Sequence, residues 1–335
     1  MNTEVKRIWV LSPQKDGLFL IASGFLGLLL GLVSPLLGVM ALWISFFVYF
    51  ALGLTHFGST FFFYMDETNR QYFHTKPWVF YYVPVLLILA PIALVATPFG
   101  PLVIIITYWF SGWHVMKQSV GITALYRGKL GIFGAIDREI DTLAIMSASF
   151  LALFGRLLRF EDFGYERFFV QYYGDIIFYI ILAFFCYALV RWVKLTRERF
   201  KAHGNDAWPL FLFTLVSILL FTPFLYVENF QVAFMANLLG HYSQYIVLVW
   251  IINHNKYALE GKGPSPKPPV LTYLSKHLYL YAGVLLAYAL AVTLVGQISV
   301  LLPVVGLTWA HFYVDGFLFK FKDPEVRKLI LPYIS

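Results

Sequence analysis

Four histidines lie inside apolar stretches of this chain, where ionisable side chains are rare. They are His56, His114, His241 and His311, out of eight histidines in the sequence. An ionisable residue in such a stretch usually faces the protein interior or a functional site, because exposing it to lipid is costly. Neutral imidazole is a common ligand for metal ions. The four residues therefore indicate a metal centre, provided that their helices bring them together.

Asp315 strengthens this interpretation. It follows His311 by four residues, and that spacing puts the imidazole and the carboxylate on one face of a helix. Three or four histidines with one carboxylate suit ferrous iron best, and zinc or copper next. Each histidine could instead be an interior residue that hydrogen-bonds to a neighbouring helix, and this alternative stays open.

Further polar residues flank His114 and His241 at helical spacing. The candidates to bind the metal or to hydrogen-bond its ligands are Gln118, Asn237 and Gln244, and the candidate catalytic groups are Lys117, Tyr245 and Asp315. Lys117 lies within an apolar stretch, so we expect it to form an ion pair with Asp315, to bind an anionic substrate or to form a Schiff base with an aldehyde.

The composition indicates what kind of fold must position these residues. Of the 335 residues, 60% are hydrophobic and 13% are charged, whereas soluble domains carry about 25% charged residues. We therefore predict an all-α transmembrane helical bundle that forms one membrane domain over 1–335. The net charge of +7 does not indicate nucleic acid, because the charges lie between the apolar stretches.

Ten apolar segments, each bounded by charges or by proline and glycine, predict ten membrane spans. They are 17–34, 38–64, 78–97, 101–126, 141–158, 174–193, 209–227, 230–253, 278–296 and 298–319. With a cytoplasmic N-terminus, most of the 25 Lys and Arg residues fall in cytoplasmic loops, as expected for an inner membrane protein of bacteria.

This topology assigns the segments outside the spans. We predict that 1–16 and 320–335 are cytoplasmic and that 157–175, which mixes aromatic and charged residues, lies along the outer membrane surface. The four histidines fall in the second, fourth, eighth and tenth spans, which cross in the same direction. Their positions lie within one or two helical turns of a common depth, so one shared site is possible.

Two short sequences resemble the Brp/Blh family of membrane β-carotene 15,15'-dioxygenases. They are Thr55-His56-Phe57-Gly58 and the segment from His311 to Asp315, which are similar to the family's histidine motifs that are thought to hold iron. The resemblance implies a helical membrane protein, an iron site and oxidation of a lipophilic substrate.

The resemblance also assigns His241 to the place of the family's histidine-rich helix. The chain departs from the family there, because the residue four positions after His241 is Tyr245 and not a second histidine. The family's Pro-His-Gly motif is absent from the sequence, and Lys117 has no counterpart.

The leading hypothesis is an iron-dependent oxidoreductase or oxygenase in the membrane. It would act on a lipophilic substrate such as an isoprenoid or a fatty aldehyde, with an electron donor as a further partner. A b-type cytochrome with two bis-histidine haems is one alternative, although two haems need histidines at two depths. A metal-free transporter or proton relay that uses Lys117 and Asp315 is another.

Overall fold

The computed structural model describes residues 8–159, 166–259, 267–299 and 302–334. All regular elements among these residues are helices, which confirms the predicted all-α class. The helices are α1 (Pro13–Leu37), α2 (Val39–Met65), α3 (Glu67–Thr75), α4 (Trp78–Val95), α5 (Leu102–Leu130), α6 (Ala135–Arg159), α7 (Glu166–His203), α8 (Trp208–Leu219), α9 (Pro223–Tyr226), α10 (Phe230–Ala258), α11 (Pro269–Lys276), α12 (Leu278–Ser299), α13 (Leu302–Leu318) and α14 (Pro324–Ile330).

Six helical stretches within the described ranges are long and apolar enough to cross a membrane. They are α1, α2, α4, α6, α10 and the stretch Gly174–Tyr226. The number rises to seven if α11 and the first part of α12, which meet at an angle of 110°, form one span. Large apolar side chains such as Leu26, Leu29 and Leu32 are exposed on α1. These features are consistent with an integral membrane protein.

The ten spans and the cytoplasmic termini stay predictions. The fourth predicted span corresponds to α5, which carries Lys117, Arg127 and Lys129 among its residues. The tenth corresponds to α13, which has 17 residues, where a span needs about 20. The sixth and seventh predicted spans both lie in the stretch Gly174–Tyr226.

Parts of the predicted non-membrane segments are helical. The outer segment 157–175 includes the end of α6 and the beginning of α7, while its residues 160–165 lie outside the described ranges, as do residues 1–7 of the N-terminal segment. The C-terminal segment 320–335 contains α14, and its Asp323 pairs with Lys76 at 2.7 Å.

The chain divides into two compact units whose segments alternate along the sequence. The first unit comprises Met1–Ser45 and Val115–His241, and the second comprises Phe46–His114 and Tyr242–Ser335. The single membrane domain over 1–335 stays a prediction.

Buried charges in the first unit are held by local partners. The carboxylate of Asp16 accepts hydrogen bonds from the Val10 backbone N–H at 2.7 Å and from the Tyr126 hydroxyl at 2.8 Å. The guanidinium of Arg199 donates to Asp141 at 2.8 Å and to Asp137 at 3.0 Å. Such partners are required because a buried charge without them is strongly destabilising.

In the second unit, α13 packs closely against α4 at a glycine. A Cβ atom on Gly306 would overlap the backbone of Ile88. The backbone of Ile88 cannot change its conformation to avoid this overlap as the end of a long side chain can. Any residue larger than glycine at position 306 would therefore require a shift of α13. The contact therefore fixes the position of the helix that carries His311 and Asp315.

We expect Gly306→Ala to lower the free energy of unfolding by about 1–3 kcal/mol, the range for overpacking a tight contact. Thermal unfolding of the purified protein in detergent measures the effect. Gly283→Ala on α12 is the matched control, because no atom lies within 4 Å of the Cβ position there. A Gly306→Ala variant as stable as the Gly283→Ala variant would contradict the expected overlap.

Candidate metal centre

Three of the four predicted histidines form a cluster in the second unit. His56 comes from α2, His114 from α5 and His311 from α13, and all three are buried. The ring centroid of His311 lies 4.4 Å from that of His56 and 5.0 Å from that of His114, and the His56 and His114 centroids are 6.1 Å apart. The sequence prediction that these side chains meet is confirmed for these three residues.

Asp315 completes the cluster. One ligand atom each from His114, His311 and Asp315 lie within 4.8 Å of one another. Asp315 Oδ2 is 3.6 Å from His311 Nε2 and 3.8 Å from His114 Nε2. One ring nitrogen of His56 also lies within 4.8 Å of one of His114.

These separations fit ligands around one ion better than they fit direct hydrogen bonds. Hydrogen bonds between nitrogen and oxygen are about 2.7–3.2 Å long, whereas two atoms that are each about 2.1 Å from an ion lie at most about 4.2 Å apart. Asp315 Oδ2 is buried and accepts no hydrogen bond from the described residues. This His/Asp cluster can therefore hold a metal ion.

The other oxygen of Asp315 is held by protein groups. The Tyr245 hydroxyl donates to Asp315 Oδ1 at 2.6 Å. Thr60 Oγ1 lies 2.8 Å from the Tyr245 hydroxyl, 2.7 Å from His311 Nδ1 and 3.5 Å from Asp315 Oδ1. The carboxylate is thus oriented so that Oδ2 points to the ring nitrogens of His114 and His311.

Apolar side chains enclose the histidines. The ring of Phe312 stacks on His114 at 4.6 Å, and the ring of Phe57 lies 5.2 Å from His311. Phe57 also belongs to a buried apolar cluster with Leu54 and Ala289. Such a lining keeps water away and strengthens electrostatic interactions inside the site.

The helix that carries His56 is irregular on both sides of it. In α2 the segment Tyr49–Leu54 forms a π-helical turn, Thr55–Thr60 is α-helical, and Phe61–Met65 is a 3₁₀ turn. Single π-helical turns often occur at functional sites because they change the direction of the side chains that follow.

The histidine rings do not fit the haem alternative. A bis-histidine haem places a flat macrocycle between two imidazoles. Here the His311 ring meets the rings of His56 and His114 edge to face, so these contacts leave no space for a macrocycle between the rings.

His241 is buried on α10 and is the last residue of the first unit. Its role as a metal ligand stays a prediction. The side chain of Gln118 donates to the His241 carbonyl at 3.2 Å, so it holds the backbone of α10 at this residue. Asn237 Nδ2 donates to the Leu220 carbonyl at 3.1 Å, which stabilises the end of α8.

Gln244 and Lys117, the remaining candidate site residues from the sequence, differ in the exposure of their side chains. Gln244 is buried on α10, as expected for a residue near a site. Lys117 is exposed on α5, whereas the clustered histidines on α2, α5 and α13 are buried. The catalytic role of Lys117 stays a prediction.

Thr60 is a residue of the site that the sequence interpretation missed. It contacts Tyr245, His311 and Asp315. A signal was present, because Thr60 follows His56 by four residues and therefore shares its helical face.

No known family model, curated protein or solved structure matches this chain. The resemblance to the membrane carotene dioxygenases therefore stays a hypothesis that rests on short motifs.

Proposed function

We propose that the chain is a membrane-embedded, non-haem iron oxidoreductase or oxygenase that acts on a lipophilic substrate. The observation that carries the proposal is the buried group of His114, His311 and Asp315, whose ligand atoms lie within 4.8 Å of one another. Two histidines and one carboxylate on one face of ferrous iron are the ligand set of many non-haem iron oxygenases, and they leave positions open for oxygen and substrate.

The residues have distinct roles in this proposal. His114, His311 and Asp315 bind the ion, and the negative charge of Asp315 offsets part of its positive charge. His56 is a further ligand, and the sequence adds His241. When bound, ferrous iron supplies the centre at which oxygen is activated, and the apolar side chains around the histidines exclude water.

The surroundings of the site favour a lipophilic substrate. The histidines lie among buried aromatic and aliphatic side chains, and many helices of the chain expose apolar surfaces. A substrate dissolved in a bilayer reaches such a site without crossing water. An isoprenoid or a fatty aldehyde has this property, and the resemblance to carotene dioxygenases points to the same class. An oxygenase reaction also requires electrons from the substrate or from a donor protein.

Metal analysis of the purified protein tests the proposal. We expect about one iron ion per chain after anaerobic purification with ferrous iron, and little metal in His56→Ala, His114→Ala or His311→Ala. His74→Ala is the control, because His74 is exposed on α3 and should leave the metal content unchanged. Oxygen consumption with isoprenoid and fatty aldehyde substrates then tests the reaction class.

A wild-type protein that binds neither iron nor zinc nor copper would contradict the proposal. That result would favour the metal-free transporter or proton relay, in which Asp315 carries a proton. Metal binding without oxygen consumption on any lipophilic substrate would support the site and contradict the oxygenase.

A further inference from the structure

The hydroxyl groups of Thr60 and Tyr245 link two of the proposed metal ligands. His311 Nδ1, Thr60 Oγ1, the Tyr245 hydroxyl and Asp315 Oδ1 form a chain with successive distances of 2.7, 2.8 and 2.6 Å. All four residues are buried. His311 and Asp315 are also one turn apart on α13, so this chain of hydrogen bonds starts and ends on the same helix.

The number of hydrogens decides the direction of this chain. An ionised carboxylate only accepts hydrogen bonds, and tyrosine and threonine hydroxyls have one hydrogen each. With Asp315 ionised, the only hydrogen of Tyr245 goes to Asp315 Oδ1. The single hydrogen of Thr60 then goes to the Tyr245 oxygen at 2.8 Å or to Asp315 Oδ1 at 3.5 Å. In either case Thr60 must accept a hydrogen from His311 Nδ1 at 2.7 Å.

We propose that Thr60 and Tyr245 are positioning residues that fix His311 in the tautomer with hydrogen on Nδ1 and the lone pair on Nε2. The inference rests on the proposed function, because Asp315 is ionised when it binds the ion. The lone pair of Nε2 then faces Asp315 Oδ2 at 3.6 Å. Two electron-rich atoms at this distance repel each other unless a cation lies between them. The hydrogen bonds therefore orient both atoms so that they can bind one metal ion.

The opposite direction gives the opposite result. If Asp315 were protonated on Oδ1, it would donate to Tyr245, Tyr245 to Thr60, and Thr60 to His311 Nδ1. His311 would then carry its hydrogen on Nε2 and could not bind a cation through that atom. The observed distances therefore link the tautomer of His311 to the hydrogen-bond partners of Asp315.

Thr60→Val tests the inference, because valine keeps the shape of threonine and lacks the hydroxyl. We expect zinc and ferrous iron to bind about 10- to 100-fold more weakly, the usual effect of losing a partner that orients a metal ligand. Thr60→Ser retains the hydroxyl and should restore affinity close to that of the wild type. Tyr245→Phe should also weaken binding, because Thr60 can then turn its hydrogen to His311 Nδ1.

Thr214→Val is the matched control. Thr214 lies on α8 and is buried like Thr60, but its hydroxyl donates to the Leu210 carbonyl in its own helix at 2.7 Å. Metal affinity should be unchanged in this variant. If Thr60→Val does not fold, Tyr245→Phe and Thr60→Ser still test the chain.

Nitrogen-15 NMR of zinc-loaded protein with labelled histidine gives a second readout. We expect His311 to bind zinc through Nε2 and to carry hydrogen on Nδ1, with its signals identified by their loss in His311→Ala. Coordination through Nδ1, or an unchanged affinity in both Thr60→Val and Tyr245→Phe, would overturn this inference alone. A wild-type protein that binds no metal would overturn the proposed function itself.

Discussion

Asp315→Asn should abolish metal binding and leave the protein folded. Asparagine has nearly the same shape as aspartate, but its neutral amide lacks the charge that offsets the cation. We expect the affinity for ferrous iron to fall by more than the roughly 100-fold that follows from losing an orienting partner of a ligand. Titration with ferrous iron or zinc, together with elemental analysis after dialysis, measures the loss.

Asp323→Asn is the control for this variant. Asp323 is also an aspartate near the C-terminal end of the chain, but it pairs with Lys76 at a partly exposed position. Its substitution should leave the metal affinity unchanged. Retention of wild-type affinity by Asp315→Asn would show that the carboxylate does not bind the ion.

The second large effect concerns stability. Lys256→Met should lower the free energy of unfolding by about 3–5 kcal/mol, because it leaves the carboxylate of Asp66 buried without a cation. Both side chains of the pair are almost fully buried. The Lys256 ammonium also donates to Thr68 Oγ1 at 2.9 Å, and Asp66 accepts from the Thr68 backbone N–H at 2.8 Å. Unfolding of the purified protein in mixed micelles measures the change.

The double variant Asp66→Leu with Lys256→Met tests the cause. It removes both charges, so it should be more stable than Lys256→Met alone. Lys201→Met is a control, since Lys201 pairs with Glu198 on an exposed surface and such pairs contribute little. If the double variant is as unstable as the single one, the unpaired charge is not the cause.

The pH dependence of the Lys256→Met effect has a defined sign. Burial alone would raise the pKa of the Asp66 carboxyl, but the Lys256 ammonium together with hydrogen bonds from Tyr257 and Thr68 holds the pKa below its ordinary value. The pair therefore stabilises the wild type above the ordinary pKa of 3.8, and this contribution is lost as the pH falls through the lower folded value. The difference between wild type and Lys256→Met should shrink in acid.

The histidine cluster could be predicted from the sequence because a histidine in an apolar helix is costly to expose to lipid and therefore usually faces the protein interior or a functional site. His56, His114 and His311 have this property, and Asp315 follows from its spacing to His311. Thr60 also lies four residues from a histidine, His56, but this spacing alone did not distinguish it from other hydroxyl residues. Hydroxyl residues are tolerated in apolar helices by bonding to their own backbone, as Ser59 does to the His56 carbonyl at 2.7 Å, so the type of residue does not reveal a contact between helices.

The number of membrane spans is harder to predict from the sequence than the histidine cluster. Helices that surround a site face other helices, so they do not need to be apolar on all sides. α5 carries Lys117, Arg127 and Lys129 in addition to His114, so it is less apolar than an ordinary membrane span. α13, which carries His311 and Asp315, has 17 residues and is shorter than an ordinary span. The pair of Asp66 and Lys256 was missed as well, because its members are 190 positions apart and each lies near a predicted loop.

Because a π-helical turn precedes His56, the number of residues in α2 determines the direction in which His56 and Thr60 point relative to the preceding part of the helix. Each residue in an α-helix advances by about 100° around the axis, and the wider turn at Tyr49–Leu54 accommodates an additional residue. Deleting one residue there would keep the segment apolar but would rotate the preceding part of α2 against His56 and Thr60. Related chains in which this stretch is one residue shorter would therefore retain a similar hydropathy profile and lose the register that the site requires.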